Sequence, residues 1–266
     1  ALICYIQYMR NSKWQYLLAS VVSSILAMGC KEQSVIIVPC LLLFDWMLFK
    51  RNMRSLKVYI EKVYYLIPAI AIFIVTLVAN KNTGEEIIGY TIVDRFIFLC
   101  YSSFKYLLIS AIPFKLSYLY PFPFQVGEKI PMALWIYPFV ILFIGYVIYL
   151  NRRKPLLVFC TLFFILHLLP VLHVIPLPRY VVAADRYLYI PYIAFAIGLS
   201  ILSYHLYERQ RKWILYAGFL YCSYLCVYTA SYAPAWKNSD TLKEHFKEVL
   251  KKRETNLSIN FKHEKQ

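Results

Sequence analysis

MALWIYPFVILFIGYVIYLNRRKPLLVFCTLFFILHLLPVL, residues 132–172, decides how this chain is built. Nineteen residues without a charge (132–150) meet Asn151, Arg152, Arg153 and Lys154, and a second apolar run follows at 156–172. A helix rises about 1.5 Å per residue and a bilayer's hydrocarbon core is about 30 Å thick, so runs of this length read as membrane spans. Their shared turn is basic, which by the positive-inside rule places it in the cytoplasm.

Outward from that turn, the remaining loops sort by charge. The stretches 10–13, 50–62 (KRNMRSLKVYIEK) and 208–212 (ERQRK), together with 151–154, hold thirteen Lys and Arg against two acids, Glu61 and Glu208. The other loops are nearly neutral, with Lys31, Lys81, Arg95, Lys115, Lys129, Arg179 and Arg186 set against Glu32, Glu85, Glu86, Asp94, Glu128 and Asp185. The first set is expected inside and the second outside. Spans follow at 14–28, 34–49, 63–79, 132–150, 156–172, 187–207 and 213–231. The run 92–112 cannot also cross without reversing the sidedness of 151–154, and it carries Asp94, Arg95 and Lys105. It is expected to lie in the interface or to re-enter from outside.

The fold class is therefore an all-α polytopic bundle of about seven spans plus one interfacial or re-entrant helix. Residues 1–231 form the transmembrane domain, and 232–266 form an external, helix-prone tail. A composition of 61% hydrophobic residues with mean hydropathy +0.55 agrees with this and excludes an ordinary soluble domain. The net charge of +15 sits largely in cytoplasmic loops, where anionic headgroups account for it and nucleic acid is not implied. Seven cysteines fall mostly within or beside apolar runs, with no metal-ligand spacing, and read as small hydrophobes. The chain opens on ALICYIQYM without a cleavable signal, as a piece of a longer protein would.

Polar groups at or under a membrane face are costly unless paired or hydrated, so they mark candidate sites. Lys31-Glu32 joins two short spans; a lysine suits a phosphate and a glutamate can orient a hydroxyl, but the pair could equally cap a tight helical hairpin. The stretch 179–189, RYVVAADRYLY, is preceded by His173 and three prolines. Asp185 and Arg186 stand there at the mouth of a helix, where free N–H groups favour an anion and Arg186 could clamp it. A capping Asp185 with a snorkelling Arg186 is the alternative. Glu85 and Glu86 could hold a divalent cation or simply solvate their loop. Asp45 is expected to make local hydrogen bonds and His167 to pack. No Walker loop, HExxH, GxSxG or dinucleotide fingerprint occurs.

Four blocks, in order, resemble the transmembrane-and-TPR-repeat protein O-mannosyltransferases and their bacterial relatives, which are GT-C type membrane glycosyltransferases. They are GCKEQSVIIVPCLLLFDWMLF, FKYLLISAIPFKLSYLYPFP, AADRYLYIPYIAFAIGLS and APAWKNSDTLKEHFKEVL. The resemblance implies a GT-C-like fold and transfer of a sugar such as mannose from a polyprenyl-phosphate donor to an acceptor protein or glycan on the non-cytoplasmic side of a bacterial inner membrane or the ER. The residues it matches are Lys31, Glu32, Asp185, Arg186, Tyr187 and Tyr189; with Arg179 and His173 added from the reading of the residues themselves, Glu32 and Asp185 are expected to be catalytic, Lys31, Arg179 and Arg186 to bind the donor phosphate, and Tyr187, Tyr189 and His173 to line a substrate pocket. Gly29-Cys30 stands where the family commonly has Ser before Lys-Glu, and the family's upstream acidic motif is absent, so this stretch alone is not expected to turn over. The tail would begin a TPR region. A divalent cation could assist, though no ligand set is legible.

Two other classes stay open: a transporter or flippase with a Tyr-rich path, and a non-catalytic membrane scaffold. The transferase reading depends on Lys31-Glu32 and Asp185-Arg186 sharing one pocket.

Overall fold

The computed structural model describes residues 1–80, 89–114, 116–173, 181–244 and 246–247, with the side chains of Glu32, Asn80 and 209–212 outside the described set. Its helices are α1 (Leu2–Asn11), α2 (Trp14–Cys30), α3 (Ile37–Met47), α4 (Leu56–Asn80), α5 (Ile92–Ala111), α6 (Ile136–Leu150), α7 (Pro155–Leu168) and α8 (Pro191–Tyr232). Short 3-10 turns precede α3 and α6, follow α7 and occupy Asp185–Leu188. Among the described residues the chain is all-helical, the extended pairing being one antiparallel bridge, Tyr120 to Ala183.

Three helical stretches are long and apolar enough to cross a membrane: Leu56–Ala79, Met132–Leu150 and Trp213–Trp236. Trp14–Cys30, Gln33–Met47 and Pro155–Val171 are apolar but shorter. α6 buries none of its residues against the protein, and Phe139, Leu142 and Phe143 point outward. Water would penalise that surface by about 25 cal/mol per Å², whereas lipid does not.

α8 corrects a boundary. Residues 208–212 were expected to be a loop between two spans, yet helical structure runs unbroken for 42 residues. A straight helix of that length would measure about 63 Å. Its ends instead meet: Trp236 packs edge-on to Tyr118 at 5.8 Å between centroids, and Arg186 lies over the same Tyr118 ring at 4.7 Å. The two ends of the run therefore lie far closer than a straight helix allows, so it turns back on itself within its length.

The outer arm is fastened by tyrosines on one helical face. Tyr221 and Tyr224 donate to the carbonyls of Ala111 and Pro113 at 2.8 and 2.5 Å, and Tyr228 accepts from the Leu116 amide at 2.9 Å. The last carbonyls of a helix have no partner within it, so these hydroxyls satisfy groups at the C-terminal end of α5 that lipid would leave bare. At the other end of α5, Asp94 is explained by a capping box with Thr91.

The stretch 50–62 also departs from expectation. α4 starts at Leu56, so Glu61 and Lys62 are helical rather than in a solvated loop. Both are buried with the fully buried Asp45. Lys62 Nζ meets Asp45 Oδ2 at 2.6 Å, Arg51 pairs with Glu61 at 2.6 Å and Asp45 at 3.3 Å, and Tyr5 donates to Asp45 at 2.6 Å. Two acids and two bases cancel, which is what lets them leave water. This network ties α1, α3 and α4 together at one end of the α2–α3 hairpin. Lys31 lies at the other end, roughly 20 Å away along α3.

Candidate functional site

The site forms where 116–124, 182–190 and the end of α8 converge. An aromatic cluster fixes the first of these segments: Phe98 of α5 packs against Tyr90, Phe122 and Phe124 at 4.9 to 5.0 Å. The second segment is pinned from both sides. Tyr120 and Ala183 form the bridge through Tyr120 N to Ala183 O and Val182 N to Tyr120 O, both 2.9 Å. Tyr106 accepts from the Ala184 amide at 3.2 Å, and His173 Nε2 meets the Val182 carbonyl at 3.0 Å. Every backbone group held here sets the position of the next residue, Asp185.

Asp185 faces inward. Tyr120 donates to its Oδ1 at 2.8 Å while accepting from the Ser117 amide at 3.0 Å. Oδ2 is buried, with the Tyr232 hydroxyl of α8 approaching. Burial raises this carboxyl from an ordinary 3.8 to about 6, against the opposing pull of Tyr120, the Ser117 amide and the nearby Lys105. The same burial, with the Asp185 charge, pushes the Tyr120 hydroxyl well above its usual range. An aspartate held in this way is anchored on the 116–124 segment.

Arg186 faces outward. It donates to the Tyr118 carbonyl at 3.2 Å and lies over the rings of Tyr118 and Tyr187, at 4.7 and 5.0 Å. Lys31, from the far side of the sequence, lies over the same Tyr187 ring at 5.1 Å. The two cations thus share one tyrosine ring and are at most about 10 Å apart. Both side chains are exposed, so their charges are open to an incoming anion. Lys31 owes its position to an extended backbone between α2 and the 3-10 turn Glu32–Ile36.

The other expected site residues fall differently. Glu32 has its backbone in that turn, but its side chain lies outside the described residues, as do Arg179, Glu85 and Glu86. Tyr189 is 83% exposed. His173 is buried against Phe98 and Phe122 with a left-handed backbone, φ 60°, so it braces the 182 segment from the core and does not line an open pocket. His167 Nδ1 donates to the Phe163 carbonyl within its own helix, at 2.9 Å, in keeping with a packing role. Among the described residues, no group of three or more His, Cys, Asp or Glu is placed to hold a metal.

Tyr118, Tyr120, Tyr106, Tyr232 and Lys105 were not singled out by the sequence as site residues. Tyr118 and Tyr120 were visible only inside the second block of the resemblance, and Lys105 only as a charge that argued against a span. No protein-family model matches the chain, no curated protein does, and no solved structure does.

Proposed function

We propose that this chain is the membrane portion of a sugar transferase that takes its sugar from a polyprenyl-phosphate donor and works on the extracytoplasmic face. In this reading the chain crosses the bilayer seven times, α5 dips in from outside, and the C-terminal tail is external with the acceptor, a protein hydroxyl or a glycan. The observation that carries the proposal is the meeting of Lys31 and Arg186 at the ring of Tyr187. These residues belong to separate blocks of the resemblance, 155 positions apart, and the loop charges assign both to the same face.

The chemistry follows from where a lipid phosphate sits. Its anionic group lies at the headgroup plane while its chain stays in the bilayer, so fixed cations at the rim are what bind it. The same cations stabilise the phosphate that departs when the sugar is transferred. A shallow apolar face of α8 from Tyr192 to Tyr204 suits the hydrocarbon chain. Asp185 serves this site by holding Tyr120; the general base is Glu32 or an acidic motif outside this stretch.

The test is transfer of labelled sugar from a polyprenyl-phosphate donor in membranes carrying the full-length protein. Arg186→Ala and Lys31→Ala should each abolish transfer while expression and insertion stay normal. Normal transfer by both variants would defeat the assignment.

A further inference from the structure

Arg186 is aimed by one residue that serves it twice. The Tyr118 carbonyl accepts from Nη1 at 3.2 Å, and the ring of the same tyrosine meets the guanidinium at 4.7 Å. An exposed arginine on a long stem samples many rotamers, and each partner that fixes it beforehand lowers the entropy lost when a ligand docks. A guanidinium has more N–H donors than these contacts use, so it is oriented and still able to bind an anion.

Tyr118 is itself held through its backbone and its ring. The backbone is bracketed by Leu116, whose amide donates to Tyr228, and by Tyr120 of the bridge to Ala183. The ring is braced by Trp236, edge-on at 5.8 Å, which packs in the same way on Tyr232 at 6.4 Å. Trp236 ends the 3-10 turn Ala233–Trp236, and the residues after it are tied to that turn. Thr241 donates to the Ala235 carbonyl at 3.2 Å, and the Asn238 side chain accepts from the Thr241 amide at 2.8 Å. One line of contacts therefore runs from the segment following α8, through Trp236 and Tyr118, to Arg186. Lys31 meets the site by a different route, through Tyr187. We propose that Trp236 and Tyr118 are positioning residues for the phosphate: Trp236 seats the Tyr118 ring and Tyr118 aims Arg186, so the segment after α8 sets the grip on the donor. The inference rests on the reading of Lys31 and Arg186 as a lipid-phosphate site, and it adds how that site is set.

The experiment measures binding of geranylgeranyl monophosphate to the full chain in nanodiscs, with geranylgeraniol and inorganic phosphate as parallel probes. Tyr118→Leu should weaken the lipid phosphate about 3- to 30-fold, the scale of one cation–π contact, and Trp236→Leu about 2- to 10-fold, the scale of one aromatic pair. Tyr118→Phe keeps both ring and carbonyl and should stay within about twofold of the parent chain, on the same scale. Because both residues act through Arg186, each loss should vanish in an Arg186→Gln background and persist in a Lys31→Gln background. Geranylgeraniol should bind every variant alike. Parent-like binding in Tyr118→Leu or Trp236→Leu, alongside loss in Arg186→Gln, would overturn the positioning roles and leave the site standing. Losses that persist in the Arg186→Gln background, or extend to geranylgeraniol, would mark residues that only hold the fold and overturn the proposal. Unchanged binding in both Lys31→Gln and Arg186→Gln would overturn the phosphate site and the proposal with it. A Tyr118-dependent site that takes inorganic phosphate and ignores the lipid would overturn the lipid source.

Discussion

Replacing Lys62 by Met tests the charge network that joins α1, α3 and α4. Asp45 is fully buried and receives Lys62 at 2.6 Å, Tyr5 at 2.6 Å and Arg51 at 3.3 Å. Without Lys62, two buried carboxylates share the single guanidinium of Arg51. At an effective dielectric near 20, a unit pair at about 4 Å is worth about 4 kcal/mol, and breaking a buried pair from one side costs about 3–5 kcal/mol. Met fills nearly the same volume as the lysine stem, so packing contributes little to this figure. The double variant Asp45→Asn/Lys62→Met removes both charges and keeps Arg51 with Glu61, so it should recover about 2 kcal/mol or more of the loss. Equilibrium unfolding in bicelles, read as a double-mutant cycle, measures this. A single-variant cost below about 1 kcal/mol, or strict additivity of the two changes, would refute the reasoning.

The tyrosine face of α8 gives a second expectation. Tyr228→Phe leaves the Leu116 amide without its acceptor, at a cost of about 1–3 kcal/mol, and hydrogen exchange should quicken at Leu116 but not at Phe98. Asp185 predicts a pH dependence. Its folded pKa, about 6 against an ordinary 3.8, means the folded chain holds that proton more tightly than the unfolded one. Stability should therefore be greatest below about pH 4 and fall, by up to about 3 kcal/mol, as pH rises through 6. Thermal unfolding across pH 4–7 should show the decline, and Asp185→Asn should flatten it.

Hydropathy and loop charge were enough to expect an all-helical chain with membrane-length helices, because apolar run length and charge act locally. They were also enough to separate 132–150 from 92–112, which the structure forms as α6 and the capped, tyrosine-fastened α5. The reversal of α8 was expected as a loop, since a cluster of basic residues looks the same whether or not the backbone between the arms stays helical. Burial of Arg51, Glu61 and Lys62 was illegible for a different reason: a charge reads as solvated until its partners, here Tyr5 and Asp45, are brought to it by folding. At the candidate site, Lys31, Asp185 and Arg186 stood out as charges beside apolar runs. Tyr120 and Lys105 did not, because their positions depend on a bridge between residues 63 positions apart in the chain, Tyr120 and Ala183.

The most direct test of the account is to see where a lipid phosphate rests on this protein. A polyprenyl monophosphate carrying a diazirine on the first isoprene unit, photolysed in membranes and mapped by peptide mass spectrometry, should label both the segment around Lys31 and the segment 184–190. Competition by unlabelled polyprenyl phosphate should remove both adducts. Labelling confined to the Asp45–Lys62 end, or to one of the two segments with the other untouched, would contradict the shared pocket.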